Sequence, residues 1–276
     1  MTVGQDPFYY PIANATIYPS LAEQSTMGNS NYNSLQISAN KAFSHGLSFI
    51  ASFTHSHSLD FGSSYENSAG AVGLNPFNFS QMYGDSAFDA RNRFVVGYDY
   101  TIPGLEHLSA FHWMPSRVAD GWHIAGITTL QSGFPITISD SGFRSLQCNA
   151  FEFYSCWDRP NVVSTPVIGD PRSYTIGTKT HYWFNPSAFA RATVGTVGNE
   201  GRNNFHGPGI NNWDMSLEKD TRVTESTSLV LRMEFYNLFN HTQFSNPTGN
   251  ILSGNFGRIT AGANGRLMQL AAKFYF

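Results

Sequence analysis

Apolar and polar residues alternate with a period of two along several stretches of this chain, which is the pattern of strands with two unlike faces. The last stretch is the clearest. From Arg266 to the end, Met268, Leu270, Ala272, Phe274 and Phe276 fall on one face and Gln269, Ala271, Lys273 and Tyr275 on the other. A strand of about 9–11 residues that stops on an aromatic suits the closing strand of an outer-membrane barrel. The edge strand of a soluble sandwich has the same alternation, so the rest of the chain must decide.

Residues 1–31 carry Pro, Gly, Asn and Ser without period and read as loop. Ser34 to Phe43 is strand one and Leu47 to His55 strand two, joined by the turn Ser44-His-Gly46 into a hairpin. A Gly/Asn/Ser-rich connection leads to strand three, about Phe88 to Ile102, with Phe94, Val96, Tyr98 and Tyr100 facing one way and Arg93, Gly97 and Asp99 the other. Strand four, Trp122 to Leu130, has too blurred an alternation to assign its faces. From Ser139 to about Ile210 no period is sustained, and so long an irregular stretch counts against a compact soluble domain. Strand five is Trp213 to Glu218 and strand six Leu229 to Phe235, with Thr221 to Thr224 as a short turn between them. The terminal strand is the seventh.

Two regularities favour the membrane. The strand charges Arg93, Asp99, Asp214, Glu218, Arg232, Glu234 and Lys273 all fall opposite the bulky apolar residues, as lumen-facing positions would. Connections also alternate between short and long, as short periplasmic turns and long external loops do. The expected fold is therefore all-β: an antiparallel transmembrane β-barrel segment of about seven strands with long external loops, not closed on its own. Strands one to four span 32–138, a long external loop 139–210, and strands five to seven 211–276. The rival is a soluble β-sandwich binding module or adhesin that uses the same long loops.

Composition agrees with the barrel. Charged residues make up only 13% and aromatics 15%, yet mean hydropathy is −0.25, so Ser, Asn, Thr, Gln and Gly supply the polarity. A net charge of −3 gives no reason to expect a nucleic-acid partner. No run of about 18 apolar residues is present to form a membrane helix. The start, Met1 to Pro7, lacks the basic and apolar segments of a secretory signal, so the chain is expected to lack the beginning of an exported protein.

Candidate chemistry is sparse. Cys148 and Cys156 fit neither a redox motif nor a zinc ribbon; a loop disulfide suits an exported loop, and two free thiols are the alternative. His55 and His57 stand two apart on one strand face, but sequence places no third metal ligand. Asp60, Glu66, Asp85 and Asp89 flank one loop without the calcium-loop pattern. Neither set is assigned a metal, no cofactor is expected, and no nucleophile, base and orienting group share a usable spacing. The chain is not expected to be an enzyme. The aromatics of the longest loop, notably Phe151, Tyr154, Trp157, Tyr182 and Trp183, are recognition candidates, or else they pack into a cap over the barrel mouth.

Several segments resemble a known family in order along nearly the whole chain. Phe43-Ser-His-Gly-Leu-Ser-Phe49, Asp89-Ala-Arg-Asn-Arg-Phe94, Phe184-Asn-Pro-Ser-Ala-Phe189, Gly198-Asn-Glu-Gly-Arg-Asn203, Glu234-Phe-Tyr-Asn-Leu-Phe-Asn-His241 and the terminal strand are similar to the barrels of TonB-dependent outer-membrane transporters. The closest likeness is to the Oar-like group, which often carries a carboxypeptidase-regulatory-like domain. The resemblance implies TonB-energised uptake of an unknown substrate in the outer membrane, with loops extracellular and lipid around the barrel. It also implies a C-terminal strand, through Met268, Leu270, Phe274 and Phe276, that is read by the barrel-assembly machinery. Such transporters have a plug and about twenty-two strands. Here the plug is expected to be absent, so that TonB would be reached only through the missing N-terminal part.

Overall fold

The structure, a computed structural model, describes residues 28–63, 79–104, 113, 115–142, 144, 158–168, 175–176, 179–180 and 182–276. In chain order its strands are β1 (Ser30–Ser44), β2 (Leu47–Asp60), β3 (Gly84–Asp85), β4 (Asn92–Thr101), β5 (Trp122–Gln131), β6 (Pro135–Ile136) and β7 (Asn161–Val162). They continue with β8 (Thr175–Ile176), β9 (Lys179–Thr180), β10 (Phe189–Ala190), β11 (Phe205–His206), β12 (Ile210–Arg222), β13 (Ser228–Tyr236) and β14 (Leu267–Tyr275). The seven long strands form one antiparallel sheet in the order β1-β2-β4-β5-β12-β13-β14, with β3 paired to the end of β2. The sheet is not closed: β1 and β14 are its two edges.

Register decides which residues share a face, because directly paired residues point the same way. One row runs Ser48, Asp99, Ala125, Ser216, Glu234, Gln269 across six strands. The next row, on the opposite face, runs Phe49, Tyr98, Gly126, Met215, Phe235, Met268. Extended to all the strands, the same register sets Arg93, Asp99, Asp214, Glu218, Arg232, Glu234 and Lys273 on the first face. No second sheet covers the apolar face among the described residues, where Leu231 is 48% exposed and Leu270 74%.

The strand whose faces the sequence left open is resolved here. In β5, Trp122, Ile124, Thr128 and Leu130 lie on the apolar face, and His123, Ala125, Ile127, Thr129 and Gln131 on the polar one. Two residues blur the pattern. Ile127 stands on the polar face between Gly97 and Asp214, while Gly126 occupies an apolar-face position that leaves room for Tyr98. A Cβ at Gly126 would come 2.7 Å from the Tyr98 hydroxyl.

Several strand limits differ from the sequence reading. β1 begins at Ser30, β2 runs on to Asp60, and β12 extends from Ile210 to Arg222. Strand three starts at Asn92 rather than Phe88, which sits in a turn. The 102–121 connection holds one turn of helix, α1 (Ser116–Ala119). Connections at one end of the sheet are short or intermediate, at 45–46, 102–121 and 223–227; those at the other end, 61–91, 132–209 and 237–266, are long.

The buried apolar core is not in the sheet. It gathers Ile136, Ile138, Phe184, Ala188, Phe189 and Phe256, with Val162, Trp183, Phe205 and Ile251 packed against it. All come from two of the long connections, 132–209 and 237–266, which fold together into a cap at the long-loop end of the strands.

Candidate functional site

The polar face is hollowed into a trough of about 610 Å³ whose lining includes Asn40, Ser48, Asp99, Asp214, Ser216, Arg232 and Glu234. Its charges are tied to neighbours. Arg232 Nε lies 3.2 Å from Glu234 Oε1 and 3.5 Å from Glu218 Oε2. Asp99 Oδ1 is 2.7 Å from His123 Nε2. Asp214 accepts hydrogen bonds from the Asn237 backbone N–H at 2.8 Å and from Asn212 Nδ2 at 2.9 Å. Lys273 sits at the edge strand with its ammonium 4.6 Å from the Tyr275 ring centre. Half-exposed pairs of this kind add little to stability, each about 0–1 kcal/mol. What they supply is a surface of fixed, mixed charge next to the apolar Ile50 and Ile127.

Above the strands, Phe184 anchors the cap. Its ring meets those of Phe189 and Phe256 edge to face at 5.5 and 5.2 Å, and Phe189 and Phe256 close the triangle at 5.5 Å. Asn185 starts the short turn at 186–188 by accepting the Ser187 N–H at 3.0 Å. Of the aromatic recognition candidates, Tyr182 is 6% exposed and bridges to Arg258, while Trp183 donates its indole N–H to the His206 carbonyl at 2.7 Å. Both belong to the packing of the cap. Phe151, Tyr154, Trp157, Cys148 and Cys156 lie outside the described residues.

The cap is fastened to the sheet by two neighbours in the 132–209 connection, Arg202 and Asn203. Arg202, 4% exposed, donates from Nη1 to the Asp60 carbonyl at 2.7 Å, pairs with Asp60 Oδ1 at 2.6 Å, and reaches Ser63 Oγ through Nη2. Asn203 donates to the Asp85 carbonyl at 2.6 Å. Gly84 permits this approach, since a Cβ there would stand 2.4 Å from the Arg202 carbonyl oxygen. The signal was present in Gly198-Asn-Glu-Gly-Arg-Asn203, but nothing local in the sequence names Asp60 as the partner.

Two ionic groups outside the strands are tuned. Burial pushes the Glu200 carboxyl up to about 7, only partly offset by the Arg159 charge. Burial, helped by the neighbouring Arg202 charge, brings Arg159 down to about 10. Asp85 is the hub of the rim. Burial alone would raise its carboxyl, but hydrogen bonds from His57 and Arg91 outweigh it and hold Asp85 below the usual range. His57 Nε2 stands 2.9 Å from Asp85 Oδ1, and Arg91 Nη2 2.9 Å from Oδ2. The other histidine of the pair, His55, contacts Asn92 Oδ1 through Nδ1 at 2.9 Å. Glu66 lies outside the described residues.

An open antiparallel sheet with one polar and one exposed apolar face, carrying long connections at one end only, is the architecture of a barrel wall. The sequence matches the family described as outer membrane beta barrel domain over residues 4–269. The chain belongs to that family. This outer-membrane barrel protein matches no curated protein. Among the described residues of the barrel protein, no helix is long and apolar enough to cross a membrane. Its seven long strands, of 9 to 15 residues, reach or exceed the length a tilted membrane strand needs, about 9–11 residues.

Proposed function

We propose that the protein is the barrel part of a TonB-dependent receptor of the Oar-like group, which takes up a solute through the lumen rather than transforming it. The observation that carries this is the trough of mixed charge on one sheet face, together with a cap at the long-loop end that a long connection pins to the barrel rim through Arg202. A passive wall needs neither. On this reading the seven charges line the lumen, the apolar face meets outer-membrane lipid, the long connections are extracellular, and β14 presents the barrel-assembly signal Met268, Leu270, Phe274 and Phe276. The seven long strands supply part of a barrel wall, and the energy coupling of such receptors passes through a plug segment. Support comes also from the family resemblance of the motifs between Phe43 and His241, several of which build the rim and the cap.

The test compares solutes removed from the medium by wild-type cells, cells lacking the gene, and cells lacking TonB. The same solute should be spared in both deletion strains. If the gene deletion spares a solute that TonB-deficient cells still remove, the uptake is not TonB-energised and the reading fails.

A further inference from the structure

We propose that the rim binds a transition-metal ion of the zinc class through His57, Asp85, Asp89 and His206. The chain carries these residues in three separate places. His57 lies on β2, Asp85 on β3 with Asp89 just after it, and His206 on β11 in the 132–209 connection. Folding gathers the first three at the rim and brings His206 against Asp85 from the other side. His57 Nε2 is 2.9 Å from Asp85 Oδ1, and His206 Nε2 is 3.3 Å from Asp85 Oδ2. The ligand atoms offered by His57, Asp85 and Asp89 all lie within 4.8 Å of one another. Donors held about 2.0–2.2 Å from a tetrahedral ion stand roughly 3.4 Å apart, a spacing that side-chain rotation brings within reach of His57, Asp85 and Asp89, with His206 turning in beside Asp85 as the fourth donor.

The donor set selects the metal. Two imidazole nitrogens and two carboxylate oxygens suit zinc and its neighbours. Calcium, which takes about 6–8 oxygens, is poorly served. A second observation points the same way. Asp89 Oδ2 and His206 Nε2 are buried and receive no well-directed hydrogen bond, although each lies within ion-pair distance of a neighbour: Arg91 Nε at 2.7 Å and Asp85 Oδ2 at 3.3 Å. Asp89 itself is 2% exposed; its Oδ1 accepts the Ser58 N–H at 2.7 Å, which leaves Oδ2 as the oxygen a metal would share with Arg91.

Arg91 is the cation the fold supplies at this point. It reaches Asp85 Oδ2 through Nη2 at 2.9 Å and Asp89 Oδ2 through Nε at 2.7 Å. Its side chain is 35% exposed, so it can swing into solvent and yield both carboxylates. Metal and Arg91 therefore compete for the same two ligands. With the ion bound, β2, the 61–91 connection and the cap are joined at one centre, which tightens the closure of the cap over the strands. Because coordination requires neutral imidazoles, loading releases any proton carried at the binding nitrogens.

The experiment uses the full-length protein purified from outer membranes in detergent, with zinc as the probe and a chromophoric chelator as competitor. One equivalent of zinc should bind, and cobalt in its place should show the intense visible bands of tetrahedral coordination. The double variant His57→Asn/His206→Asn should bind more than about tenfold more weakly, whereas Arg91→Gln should bind more tightly than wild type because the competing cation is gone. X-ray absorption of the zinc-loaded wild type needs no variant and should show imidazole scattering. The proposal is overturned if wild type binds no stoichiometric zinc, if the double variant binds as well as wild type, or if absorption shows oxygen donors only, which is an adventitious ion.

Discussion

A few side chains with unusual surroundings govern how this protein responds to solution conditions, and Glu200 is the sharpest case. Its carboxyl is raised to about 7 by burial, so between pH 4.5, its ordinary value, and pH 7 the folded form holds a proton that the unfolded chain has released. Stability of the cap therefore falls as pH rises through that window, is fully retained below it, and is reduced by something on the order of 3 kcal/mol above it. The Glu200→Gln variant should match wild type at pH 5 and exceed it at pH 8. Hydrogen exchange of residues 158–206 at the two pH values measures this, and equal protection of variant and wild type at pH 8 would contradict it. A second residue-scale prediction concerns the β1–β2 turn, where His45 and Gly46 both have positive φ, 53° and 77°, as a two-residue hairpin of matching twist requires. A Cβ at Gly46 would also stand 2.6 Å from the Thr101 carbonyl oxygen. Gly46→Ala should cost about 1–2 kcal/mol or more, read as a lower temperature for loss of heat-modifiable migration, while His45→Asn should be neutral.

At the scale of elements, periodicity foretold most of the strands but none of the cap's short elements, for a physical reason. Strands of two unlike faces write their period into the chain, so β1, β2, β4, β12, β13 and β14 were all legible. β5 was found, but its faces were not, because Gly126 and Ile127 trade size for fit with Tyr98 and Gly97 in the partner strand β4. The cap has no period. Its two-residue strands pair over long separations, Phe189 with Val162 and Phe205 with Ile136, and its core draws on residues as distant as Ile136 and Phe256. The sequence offered recognition or packing for its aromatics, and among the described ones the structure shows packing. Phe184→Ala should then remove the centre of the ring cluster at about 3–5 kcal/mol. Limited proteolysis should cut the 132–209 connection sooner in this variant while β12 to β14 stay protected. Cleavage at the wild-type rate would mean that Phe184 does not hold the cap together.

Over the whole molecule, the two faces of the sheet must be matched to two environments, and here the sequence said more than any single contact does. All seven strand charges named from alternation fall on one face by register, although no two neighbouring strands in sequence could have guaranteed that alone. What sequence could not supply was the rim, since Asp60 with Arg202, and His57 with Asp85 and His206, are joined only by the fold. In a membrane, an apolar face 48% exposed at Leu231 and 74% at Leu270 has a favourable partner in lipid, whereas in water it would favour association. Spin labels at Leu231 and Leu270 of a cysteine-free background should therefore be reached by oxygen in preference to a polar nickel chelate. Labels at Arg232 and Ala271, their neighbours on the other face, should show the reverse. Equal access of both probes to both pairs would mean that the two faces of the sheet do not meet two environments.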